Sequence, residues 1–150
     1  MSINFEKICN NLSLGNIIEN AEKINGGITN QMYKIQTTKG KFAVKIINKH
    51  RIQKNKNILK NIEFSEQIAT IANLNNINSI PAIRFNNKYV QNIDDEYILV
   101  YKWCDGKILL TKEIDIEKVK IIANMLAKLH KIVPKSDIKS EKYTKIDYNI

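Results

Sequence analysis

The run Gln31–Ile47, "QMYKIQTTKGKFAVKII", constrains the fold more than any other stretch of the chain. Met32 falls on one side of an extended segment, and Tyr33 with Ile35 falls on the other. Lys39-Gly40 is a hairpin signal, so the segment after it must return beside the first as an antiparallel partner. That second strand sets Phe42, Val44 and Ile46 on one face and Ala43, Lys45 and Ile47 on the other. A lysine inside a run this apolar needs an anionic partner, because burying an unpaired ammonium is costly. Taken alone, an edge strand whose lysine snorkels to water meets the same pattern.

The flanking sequence extends this hairpin into a larger sheet. Mixed apolar spacing over residues 1–18 predicts a short helix, and a strand near Asn20–Ile24 runs into Gly26-Gly27. Three strands joined by short turns form an antiparallel meander. The polar, basic "NKHRIQKNKN" reads as a connector. The period then changes: Ile58, Ile62, Ala69 and Ala72 recur at helical spacing, predicting a helix over 57–74. Pro81 blocks any continuation, and strands are predicted at Ala82–Phe85, Lys88–Ile93 and Glu96–Tyr101. Asn86-Asn87 and Asp94-Asp95 separate them and tolerate the left-handed backbone of tight hairpins. A last helix is predicted from an Asp115 N-cap to Ile132, with an apolar stripe of Val119, Ile122, Leu126 and Leu129. The tail 135–150 is lysine-rich without clear periodicity. The fold class is therefore α+β: an antiparallel sheet of five to six strands with one packed helix, followed by a further helix.

At 150 residues the chain can bury a real core. Its 43% hydrophobic and 26% charged residues fit an ordinary globular protein. No apolar run reaches the roughly 20 residues that span a bilayer, and "MSINFEKICNNL" has no secretory character, so no membrane role and a cytoplasmic location are expected. Cys9 and Cys104 are too few for a disulfide framework or a metal knuckle, and no metal ligands are assigned. The net charge of +9 raises a nucleic-acid partner, with Lys49, Arg51, Lys54, Lys56 and Lys60 around one connector. Against it, only Arg51 and Arg84 among 24 basic residues are arginine, the side chain best suited to bidentate phosphate and base recognition.

Three features near the hairpin belong together. Gly26-Gly27 can expose backbone amides to phosphate oxygens, with Thr29 and Asn30 at the same rim, although an ordinary turn has the same residues. No helix follows, so neither the dinucleotide fingerprint nor the P-loop is matched. Lys45 follows one hairpin later, and Ala43 leaves room beside it for something flat. Glu66 lies beside the inward stripe of the following helix as a candidate carboxylate for Lys45, with Glu63 nearer the flank.

With "GGITNQMYKI", "FAVKI", "FSEQIA", "YILVYKWCDGKIL" and "MLAKLH" in that order, residues 20–132 resemble the aminoglycoside phosphotransferase and choline kinase family, which has a protein-kinase-like fold. The resemblance implies a nucleotide-binding lobe over 1–101, a hinge at 102–106 and the start of a second lobe over 107–150. It implies ATP as cofactor, with Gly26, Gly27, Thr29 and Asn30 over its phosphates and Lys45 on the α- and β-phosphates, oriented by Glu66. Ala43 would roof the adenine, the Lys102 carbonyl and Cys104 amide would meet its edge, and Tyr101 would close the back of the pocket. His130 is expected to pack or cap.

The family's H-G-D catalytic loop and its metal motif are not found after "MLAKLH". No catalytic residue is therefore assigned, magnesium would need those motifs, and the chain alone is expected to be inactive, as part of a longer kinase or a truncated product. The acceptor, a small hydroxyl compound, would bind through the missing lobe. The alternatives are a non-catalytic kinase-fold binding or regulatory domain, and a basic nucleic-acid-binding module. An isolated lobe would expose its cleft face and the stripe of the last helix, so self-association is expected.

Overall fold

Asn4 starts the first helix. Its Oδ1 accepts from Lys7 N at 2.9 Å, and α1 (Phe5–Asn11) turns Ile8 and Cys9 into the interior. The computed structural model describes residues 3–24, 29–106 and 109–132. Five strands follow: β1 (Ile17–Ile24), β2 (Gln31–Thr37), β3 (Gly40–Ile46), β4 (Gln91–Ile93) and β5 (Glu96–Lys102). They form one sheet in the order β1-β2-β3-β5-β4, antiparallel throughout. The α+β class and the antiparallel sheet agree with the sequence reading.

Each face of the sheet has its own core. Ile35, Val44, Ile98 and Val100, each 0% exposed, pack with Ile8, Cys9, Leu12 and Leu14, so α1 and the link after it cover one face. Fully burying an aliphatic side chain of this size is worth about 1.5–3 kcal/mol. On the other face Ile47 and Leu99 pack with Ala82 and Tyr89, joined by Leu59 and Ile62 of α3 (Ile58–Leu74). The sequence predicts α3 almost to the residue; the second cover, α1, adds a helix to the single packed one expected.

Turn chemistry fixes the connections. Asp94 and Asp95 take φ of 53° and 61°, and Asn86 and Asn87 take 47° and 64°, as tight left-handed turns require. Thr37 pairs with Gly40, which moves the β2–β3 turn one residue earlier than the Lys39-Gly40 expected. The buried Thr37 hydroxyl donates to Leu14 O at 2.6 Å and accepts from Lys39 N at 3.1 Å. Gly15 lies against this turn at φ +91°; a Cβ there would come within 2.6 Å of Thr38 Oγ1 and 3.0 Å of Lys39 N. No other residue fits that contact without movement.

The connector and two strands need correction; the strand expected at Lys88–Ile93 is shortened to β4 (Gln91–Ile93), with Lys88 in an isolated bridge. The basic connector contains a helix, α2 (Lys49–Lys54), started by Asn48, whose Oδ1 accepts from His50 N. Its one apolar residue, Ile52, packs into the core beside Ile47 and Leu99. Residues 82–85 are not a strand: they make one bridge, Phe85 with Lys88, and one bond from Ile83 N to Val100 O at 2.7 Å. Pro81 has no N–H to offer, and the Ala82 N–H is taken by the Glu66 carboxylate, so a ladder cannot continue there.

Asp115 caps α4 (Ile116–His130), its Oδ1 accepting from Lys118 N at 2.9 Å. His130 occupies the last turn, where a basic side chain complements the helix carbonyls. Ile122, Leu126 and Leu129 of α4 border an apolar groove of about 400 Å³ whose other wall includes Ile68 and Ala72 of α3. No helix among the described residues is long and apolar enough to cross a membrane.

Candidate functional site

Cross-strand pairing brings the candidate residues to one face. In an antiparallel sheet, directly paired residues share a side. Lys45 pairs with Met32 and Leu99, and Ala43 pairs with Lys34 and Tyr101. Ala43, Lys45 and Tyr101 therefore line the face that α3 partly covers. Ala43 is buried and Lys45 half-buried. Among the described residues Lys45 has no hydrogen bond and no ion-pair partner.

Glu66 has other partners. Its Oε1 accepts from the Tyr101 hydroxyl at 2.8 Å and its Oε2 from Ala82 N at 2.8 Å. Burial, and then the bond to Glu66, pushes the Tyr101 phenol far above its ordinary value. It is therefore a donor across the neutral range. Glu63 does not meet Lys45 either: its carboxylate accepts from Tyr89 N at 3.0 Å and from Val90 N at 2.7 Å. The lysine–glutamate ion pair expected from the resemblance is thus not among the described contacts. Both helix carboxylates bind backbone amides of the segment that follows α3.

Further contacts tie α3 to the same segment. Thr70 Oγ1 and Tyr89 Oη lie 2.8 Å apart, Ser79 Oγ donates to Ala69 O at 2.7 Å, and Asn73 Nδ2 donates to Ser79 O at 2.8 Å. Carboxylates accepting two such bonds each, from two amides at Glu63 and from an amide and a phenol at Glu66, are strong, directional fasteners.

The end of the sheet beyond Tyr101 is polar and aromatic. Lys102 pairs with Phe42, so its side chain lies on the opposite face and only its backbone is available to the site. Trp103 N donates to Lys41 O at 3.1 Å. The Trp103 indole N–H is held by Asp105 Oδ1 at 2.8 Å, and Lys34 Nζ sits 5.1 Å from the ring centroid, within cation–π range. Cys104 is exposed, and among the described residues its amide makes no hydrogen bond. Neither Lys34 nor Trp103 is among the residues expected at the site. The signal for Lys34 was its register opposite Ala43, which becomes readable only once the β2–β3 turn is fixed.

Neither a protein-family model nor a curated protein matches the chain. What the face can bind is therefore set by its own residues. At its other end Asn30 Oδ1 accepts from Asn48 N at 3.1 Å, and Thr29 Oγ1 lies 3.5 Å from Arg51 Nη1. Thr29 and Asn30 thus border the end of β3 that carries Lys45, while Gly26 and Gly27 lie outside the described residues. The arrangement offers a buried methyl between two ends: a half-buried cation with polar side chains at one, and a free amide beside an aromatic ring at the other.

Proposed function

We propose that the chain is the nucleotide-binding lobe of an ATP-dependent small-molecule phosphotransferase of the aminoglycoside and choline kinase type. The observation that carries this is Lys45: a half-buried ammonium, unpaired among the described residues, on the face that also holds Ala43. A cation in that setting is stabilised by an incoming anion, and a phosphate supplies one. Ala43 would leave an apolar surface for a base to lie on, and the Cys104 amide and Lys102 carbonyl would meet its edge. Thr29 and Asn30 would flank the phosphates, and Glu66 with Tyr101 would close the back. ATP would bring the transferable phosphoryl group; these side chains bind and orient it.

Transfer also needs a base and metal ligands, and no described residue is assigned either role. Nucleotide binding is the part of the proposal that these residues carry. Titration of the protein with MgATP by calorimetry tests this. Binding that Lys45→Ala weakens about tenfold or more, the scale of one charge-assisted contact, supports it. Equal affinity in the two proteins would exclude it.

A second reading has its own observation. Glu66 bonds Tyr101 and Ala82, and among the described residues it makes no ion pair with Lys45 of the kind active kinases use. This favours a kinase-like domain that binds nucleotide or a partner without catalysis. An ATP turnover assay separates the two: turnover abolished by Lys45→Ala favours the enzyme, and binding without turnover favours the alternative.

A further inference from the structure

Of the two arginines in the chain, Arg84 lies over the Tyr89 ring, 5.7 Å from its centroid. Arg51 is placed quite differently. It follows β3 on α2, whose Ile52 packs with Ile47 and Leu99 on the Lys45 face of the sheet. Its Nη1 has only the long 3.5 Å contact to Thr29 Oγ1, and among the described residues it pairs with no carboxylate. Its neighbour Lys49 is already neutralised by Glu96 at 2.8 Å. A guanidinium presents five N–H donors in a planar fork, so most of Arg51's donors have no acceptor among the described residues.

Register and the Thr29 contact put this fork at the Lys45 end of the hairpin. Thr29 and Asn30 lead directly into β2, where Gln31 pairs with Ile46 and Met32 with Lys45. The bond from Asn48 N to Asn30 Oδ1 holds the start of α2 against the same corner. Two cations from one continuous stretch thus belong to the same end of the hairpin, one planar and one a point charge.

We propose that Arg51 is a second phosphate-binding residue, taking the terminal phosphate oxygens of a nucleoside di- or triphosphate while Lys45 takes those nearer the sugar. This rests on the nucleotide reading above and adds to it a preference for polyphosphate over nucleoside. Bidentate geometry explains why arginine, rare in this chain, stands at this position.

The test is calorimetric titration of the wild-type protein, Lys45→Ala, Arg51→Ala and Arg51→Lys with ATP, ADP and adenosine. Arg51→Ala should weaken ATP and ADP about tenfold, the scale of one charge-assisted contact, and leave adenosine unchanged. Arg51→Lys should recover only part of the loss, because an ammonium cannot reproduce the fork. Wild-type ATP affinity in Arg51→Ala, beside a loss in Lys45→Ala, overturns the Arg51 assignment and leaves the nucleotide site standing. An equal loss for ATP and adenosine in Arg51→Ala also overturns it, since that marks damage to the fold. No ATP binding by the wild type removes both proposals together.

Discussion

The Tyr101 hydroxyl donates to Glu66 Oε1 at 2.8 Å, joining the last strand of the sheet to the helix that covers it. The other carboxylate oxygen takes the Ala82 amide at the same distance. One side chain thus satisfies two groups from different parts of the chain.

Removing that carboxylate is therefore more costly than removing the phenol. Glu66→Ala leaves a partly buried hydroxyl and an amide without partners and should cost about 2–4 kcal/mol. Tyr101→Phe removes one donor and leaves Glu66 its amide, so about 1 kcal/mol is expected. Urea denaturation of the three proteins measures both, and equal midpoints would contradict the contact.

The same pair predicts an alkaline limit to stability. The folded-state pKa of Tyr101 is raised above its ordinary 10.0. Below about that pH, folded and unfolded chains both keep the proton, and this contribution is fully present. Above it the unfolded chain ionises while the folded one resists, so stability falls as pH rises. Wild-type protein should lose stability more steeply than Tyr101→Phe as pH is raised past 10.0. The buried Cys9 thiol, raised from 9.0, contributes a slope of the same sign in both proteins and cancels in the comparison. Parallel curves would remove the assignment.

Gly15→Ala tests the contact between the α1–β1 link and the β2–β3 turn. The new methyl group meets Thr38 Oγ1 and the Lys39 amide at a backbone angle that side chains rarely adopt. A loss of about 2–3 kcal/mol follows from strain and displacement together, read as a lowered melting temperature. An unchanged transition would show that the turn yields freely.

Asp95→Gly should act in the opposite direction. Asp95 holds φ +61°, which glycine adopts without steric cost, and Asp94 keeps its ion pair with Lys7. A gain of about 0.5–1 kcal/mol is expected from relief of that strain, and a loss would argue that Asp95 has a contact of its own.

Local chemistry was readable wherever one residue decides a backbone angle or a cap. Asn86-Asn87 and Asp94-Asp95 announce left-handed turns, Asp115 announces a helix start, and the period change after Asn57 announces α3. The face of Lys45 followed from strand alternation. What could not be read depends on partners that periodicity does not encode. Glu66 is near Lys45 in the sequence pattern, yet its bonds go to Ala82, sixteen residues on, and to Tyr101, thirty-five residues on. The six-residue α2 has a single apolar residue to mark it, too few for a period. Lys34 and Trp103 meet only after β1–β3 and β5 are placed side by side.

The fasteners between α3 and the segment after it also have a mechanical consequence. Glu63, Glu66, Thr70 and Asn73 run along one flank of the helix, each gripping residues between Ser79 and Tyr101. Like a beam bolted along one edge, α3 can tilt only if that stretch of backbone tilts with it.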